Sequence, residues 1–203
     1  MRHHALIIAA ALLVAYAAPL HAESKTSFGL HGGIAVPHGP LFDTARGGLA
    51  IEASVQHMFR PRMGVGLSAT FDDFHATDRV NAAVEPVYGT GSHEVFTNWS
   101  YVVYGIAALP VGRATPYLRA GTGVYNPKLQ IRTPNGILND TRQEWGYLAG
   151  TGVSYVLTPK VSVGIDGAWH QFHDGSIGRQ VSWTNVKLGL TLALPNPGDA
   201  LQP

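Results

Sequence analysis

Val186-Lys187-Leu188-Gly189-Leu190-Thr191-Leu192-Ala193-Leu194 is the stretch on which the reading of this chain turns. Large apolar side chains stand at 186, 188, 190, 192 and 194, and Lys187, Gly189, Thr191 and Ala193 fall between them. Successive side chains of a strand point to opposite faces, so a spacing of two builds one apolar face and one small or polar face. A helix would need apolar positions three and four apart. The same period runs through Phe28, Leu30, Ile34 and Val36 against Ser27, Gly29, His31 and Gly33, and through Leu49, Ile51, Ala53 and Val55 against Glu52, Ser54 and Gln56. Five further stretches, near 63–72, 97–109, 116–125, 145–157 and 161–172, bring the expected count to eight strands. The class is all-β.

The connections between these strands alternate in length. Arg60-Pro61-Arg62, Gly112-Arg113-Ala114-Thr115 and Thr158-Pro159-Lys160 are short and carry turn residues. Longer polar segments lie near 37–46, 73–94 and 126–144, with a shorter one at 174–181. Short turns at one end and long loops at the other, on an even number of strands of about ten residues, is the layout of a transmembrane barrel. A soluble eight-stranded barrel would put its apolar face inside, and here side-chain size decides. The second face is rich in glycine (Gly64, Gly66, Gly121, Gly123, Gly150 and Gly152) with isolated charges. Such a face suits the narrow lumen of an eight-stranded barrel and would make a poor outer surface in water. Phe71, Trp99, Tyr101, Trp145, Tyr147 and Trp169 fall toward the long-loop end, and Phe59, Tyr117 and Tyr155 toward the short-turn end. Two aromatic girdles are expected of a membrane barrel.

The N-terminus and composition agree. The apolar run from Ala5 to Ala18 is too short to span a membrane and closes on Leu20-His21-Ala22, a small-residue cleavage context. The expected organisation is a cleaved signal peptide over 1–22, an eight-stranded antiparallel up-and-down transmembrane barrel over 23–195, and a short periplasmic tail over 196–203. With no cysteine among 203 residues, no disulfide framework supports the exported fold. Charged residues are 13% of the chain, about half the share of soluble domains. A net charge of +1 without any Lys/Arg run supplies no field for nucleic acid.

Thr115-Pro116-Tyr117-Leu118-Arg119-Ala120-Gly121-Thr122-Gly123 and the run from Gly152 to Asp166 resemble the small outer-membrane β-barrel superfamily that includes the OmpA, OmpX and OmpW types. The resemblance extends over nearly the whole mature chain. It implies the fold and a location in the cell outer membrane, and hardly anything about activity. Members usually end the last strand on an aromatic residue read by the barrel assembly machinery. Here that strand ends on Leu194 and a tail follows, although 187–194 keeps the polar, glycine and hydrophobic order of the signal.

Closure makes the first and last strands neighbours, so inward-facing His31, Glu52, Asp166 and Lys187 fall at similar heights, with Arg119 a little lower. They are expected to form one ionic network that plugs the lumen; the alternative role is a constriction for small solutes. His170, His173, Asp174 and Ser176 gather where the seventh strand meets its outer loop and form a possible extracellular rim cluster. Some barrels of this kind that deacylate lipid A use a His-x-Ser pair near this position. The spacing from His173 to Ser176 is one residue too long for that pattern, and nearby Asn185 and Ser182 add no carboxylate orienter. His38, His75, His93 and His173 show no metal-ligand spacing. No catalytic residue, metal or cofactor is therefore assigned. The leading reading is a monomeric structural or surface-interaction barrel whose long loops are extracellular and whose partners are outer-membrane lipid and lipopolysaccharide. The alternatives are a passive channel for small or apolar solutes and a lipid A-modifying esterase.

Overall fold

The computed structural model describes residues 25–175 and 178–194. The expected signal peptide, the tail beyond 195 and Ser176 lie outside them. In chain order the elements are β1 (Lys25–His38), α1 (Pro40–Thr44), β2 (Ala45–Arg46), β3 (Gly48–Arg60), β4 (Met63–Ala76), α2 (Asp78–Tyr88), β5 (His93–Ala108), β6 (Ala114–Thr133), β7 (Gly136–Thr141), β8 (Glu144–Thr158), β9 (Val161–Asp174) and β10 (Arg179–Ala193).

Eight of the strands pair antiparallel with their neighbours in the order β1, β3, β4, β5, β6, β8, β9, β10. β10 returns to β1, from Ser27 opposite Ala193 to His38 opposite Ser182. The circle is closed, so its backbone groups pair around the wall without a free edge. All three short turns lie at the end where β1 starts. Thr158 Oγ1 accepts the backbone N–H groups of Lys160 (3.3 Å) and Val161 (3.1 Å) and so fixes one turn. Gly112 takes φ +63° in another, a conformation that a side chain would strain.

The period of two sorts the wall as expected. Leu188 is 66% exposed and Leu30 54%, whereas Glu52 and Lys187 are fully buried. The apolar face is therefore the outer one, the reverse of a soluble barrel. The glycines of the inner face make room for large lumen groups. A Cβ on Gly66 would collide with the Tyr104 ring, and one on Gly189 would collide with the His31 ring.

The structure changes the sequence reading of the outer connections and of one girdle residue; the first connection, near 37–46, holds the end of β1, α1 and β2. Segments 73–94 and 126–144 are not irregular loops. β4 continues to Ala76, β5 begins at His93, and β6 runs to Thr133 before turning back as β7. Above the hydrocarbon layer the outer face no longer has to be apolar, so the ladder persists after its hydrophobic signal stops. Tyr117 also faces the lumen, where its hydroxyl lies 2.5 Å from a Cβ built on Gly152, and does not join a lower girdle. The upper girdle lies on the outer face, with Trp145, Tyr147, Tyr101 and Trp99 exposed and Phe71 packed on Trp99 at 5.1 Å between ring centroids.

Candidate functional site

Inward-facing side chains fill the barrel in three layers. Nearest the short turns is the ionic layer, with Glu52 of β3 at its centre. Arg119 of β6 donates from Nη1 to Glu52 Oε1 at 2.7 Å and from Nη2 to Oε2 at 3.1 Å. Lys187 Nζ of β10 reaches Glu52 Oε2 at 2.5 Å and Thr70 Oγ1 donates to the same oxygen at 3.5 Å. Asp166 of β9 pairs with Arg119 and lies 3.7 Å from Lys187. His31 Nδ1 stands 3.9 Å from Glu52 Oε1. Arg119 also lies over the Tyr104 ring, 5.5 Å from its centroid. The structure thus brings all five residues of the expected network together. Two carboxylates face two basic side chains, so formal charge balances without His31, which suits groups removed from water. Arg119 and Glu52 come from walls three strands apart and meet across the lumen.

The middle layer was not expected. Asp72 of β4 is fully buried and accepts a hydrogen bond from Asn185 Nδ2 of β10 at 2.9 Å; Asn98 and the Trp183 indole face the same carboxylate. Asn185 Nδ2 also lies 3.3 Å from His170 Nε2, and Tyr125 Oη lies 3.2 Å from His170 Nδ1. The Tyr125 hydroxyl donates to Tyr147 O at 2.9 Å, so it accepts from His170, and this assigns the ring proton to Nδ1. Above lies an aromatic layer around Trp183. The His170 ring stacks on it at 5.2 Å with planes 4° apart, and Tyr125, Phe74 and Phe172 meet it edge-on at 5.8, 5.9 and 6.0 Å. Leu41 of α1 and Ala45 fold in from the first outer connection and join this core.

Among the described residues of the rim cluster, the two histidines part. His170 and His173 are three residues apart on one strand and therefore face opposite sides: His170 is fully buried in the lumen and His173 is exposed outside. Asp174 is instead tied to Arg142, 3.3 Å away, beyond the end of β7. Arg142 also binds Asp140 at 2.6 Å. Arg46 and Asp78 pair in the same manner and join β2 to α2. Among the described residues no group of acidic and imidazole side chains is arranged to hold a metal. Asp72, Asn98 and Trp183 were missed because each is an unremarkable polar or aromatic member of its strand. Their inward parity, the same as that of Asp166 and Lys187, was the available signal.

No curated protein matches the chain in sequence. Solved structures with the same fold include Neisserial surface protein A, at 14% identity and a TM-score of 0.62, covering 82% of this chain and 96% of that one. A major outer membrane protein of Thermus thermophilus gives 15% identity and a TM-score of 0.58 over 84% of this chain and 99% of that one. The attachment invasion locus protein Ail of Yersinia pestis gives 14% and 0.52 over 84% and 97%. At these identities the likeness is one of fold. Residues 7–193 match the outer membrane protein beta-barrel domain, and the chain belongs to that family of bacterial outer-membrane proteins.

Proposed function

We propose that this protein is a non-catalytic surface barrel with a closed lumen, which presents its outer connections to lipopolysaccharide and to partners outside the cell. The observation that carries this reading is the contact of Arg119 with Glu52 across the lumen, joined by Lys187 and Asp166. An eight-stranded wall encloses little more than its own side chains, and these four groups occupy the section they cross. The aromatic layer around Trp183 and the inserted Leu41 stand between them and the outer mouth. Outside, the three ion pairs of Arg46 and Arg142 hold the connections as a platform. In this reading residues 1–22 direct export and the last strand guides assembly as a monomer.

The test is single-channel recording of the refolded protein in planar bilayers. The expected trace stays at baseline. Steady, large-conductance openings that persist unchanged in Glu52→Ala would overturn the closed lumen in favour of a solute pathway.

A further inference from the structure

Two concavities lie one above the other on the outer wall, and strand register explains both. The lower has a volume of about 410 Å³ and sits on the apolar face. Leu30, Ala53, Ala69 and Tyr101 lie side by side across β1, β3, β4 and β5. The row beneath is Phe28, Val55, Leu67 and Val103, and the row above contains Ile51, Phe71 and Trp99. Two alanines between bulky rows leave a notch.

The upper concavity, about 750 Å³, opens directly above Phe71 and Trp99. Asp73, Thr97 and Lys128 form its first row and His75, Val95 and Gln130 its second, and His93 opposite Arg132 closes it. Asn81 of α2 borders it and accepts the backbone N–H of Glu94 at 3.0 Å. Arg46, Arg119, Arg142 and Lys187 are all in ion pairs, whereas among the described residues Lys128 and Arg132 are in none. Lys128 and Arg132 therefore face this cleft from β6 without an ion pair, with Asp73 across the first row and Glu94 also on its lining.

We infer that this wall holds one phosphorylated glycolipid of the outer leaflet, with its headgroup in the upper cleft and an acyl chain in the notch below. The inference deepens the surface reading above and rests on its orientation of the barrel. The aromatic row of Phe71 and Trp99 marks the height where hydrocarbon gives way to headgroups. Lys128 and Arg132 supply charge-assisted donors for phosphate. Asp73 would repel a bare polyanion but accepts hydrogen bonds from sugar hydroxyls, as does Thr97. From the notch row at Tyr101 to the Lys128 row is four residues, roughly 13 Å of strand at ~3.3 Å each. Phosphate and acyl chain of one lipid are held apart on that scale by the sugar between them. A soluble saccharide would leave the notch empty.

The experiment retains lipid on the purified mature protein in detergent and counts it by native mass spectrometry after incubation with purified lipopolysaccharide. Dephosphorylated lipopolysaccharide and the delipidated saccharide serve as the two comparison probes. One intact molecule per barrel is expected. Lys128→Ala with Arg132→Ala should weaken retention about tenfold or more, since both charge-assisted donors to phosphate are lost. Ala69→Trp, which fills the notch from the lipid side, should weaken it independently. Removing the phosphates should lower wild-type retention to that of the double variant. Boiled and unboiled gel mobility checks that all variants fold. Equal retention by wild type and folded variants, no retention at all, or equal binding of the delipidated saccharide would each overturn the inference. Bilayer recordings on the same samples separate the two readings, because a non-conducting barrel without bound lipid contradicts only this one.

Discussion

Glu52 carries more of the lumen than any neighbour, because it accepts from Arg119, Lys187 and Thr70 at once. A buried charge is tolerated only while its partners are present, so Glu52→Gln leaves two cations facing the single carboxylate of Asp166. Breaking a buried pair in this way costs roughly 3–5 kcal/mol when the site is dry. Adding Lys187→Met removes the excess cation and should recover part of the loss. Urea unfolding of the single and double variants in lipid measures that coupling. Additive effects would mean that water already screens the layer. Lys187 and Asp166 are the less informative pair, since 3.7 Å separates them against 2.5 Å between Lys187 and Glu52.

At the scale of the element, β10 places opposite demands on adjacent positions. Leu190 faces outward, 52% exposed, and Thr191 faces the lumen from the next position. A lysine near the bilayer midplane costs about 2–4 kcal/mol on the lipid face. Leu190→Lys should therefore lower folding stability by that order, and Thr191→Lys by less. Equal losses would show that the two faces share one environment. The aromatic layer makes a second demand on β10, for Trp183 is fully buried among rings from β4, β6 and β9. Truncating a buried tryptophan to alanine typically costs about 3–5 kcal/mol. Trp183→Ala should fall in that range in the same unfolding assay, and it should stay non-conducting because the ionic layer beneath it is untouched.

For the whole molecule, closure between β1 and β10 is the property with measurable consequences. A wall without edges resists detergent, so unboiled protein should migrate differently from boiled protein on denaturing gels. It should also remain with the membrane through carbonate extraction. Recovery as a soluble species would contradict an outward apolar face. Ile34→Pro, on a strand where its N–H is needed for closure to β10, should abolish the heat-dependent shift, whereas Val87→Pro near the end of α2 should leave it intact.

The sequence by itself determined the eight strands of the closed wall, which face of the wall is apolar and the height of the ionic residues. All three follow from a local rule: parity along a strand assigns the face, and distance from a turn assigns the depth. Lys187 beside Asp166, and His31 beside Glu52, were legible for that reason. Only the tertiary structure decided what crosses the lumen. Arg119 meets Glu52, and Asp72 meets Asn185, over separations of 67 and 113 residues, and such contacts depend on barrel width and side-chain length. His170 and His173 part to opposite sides of β9, a separation that their parity along the strand carried. The outer strands were hidden for a different reason: above the lipid both faces tolerate polar residues, and the hydrophobic alternation that marks a strand disappears while its backbone hydrogen bonds continue.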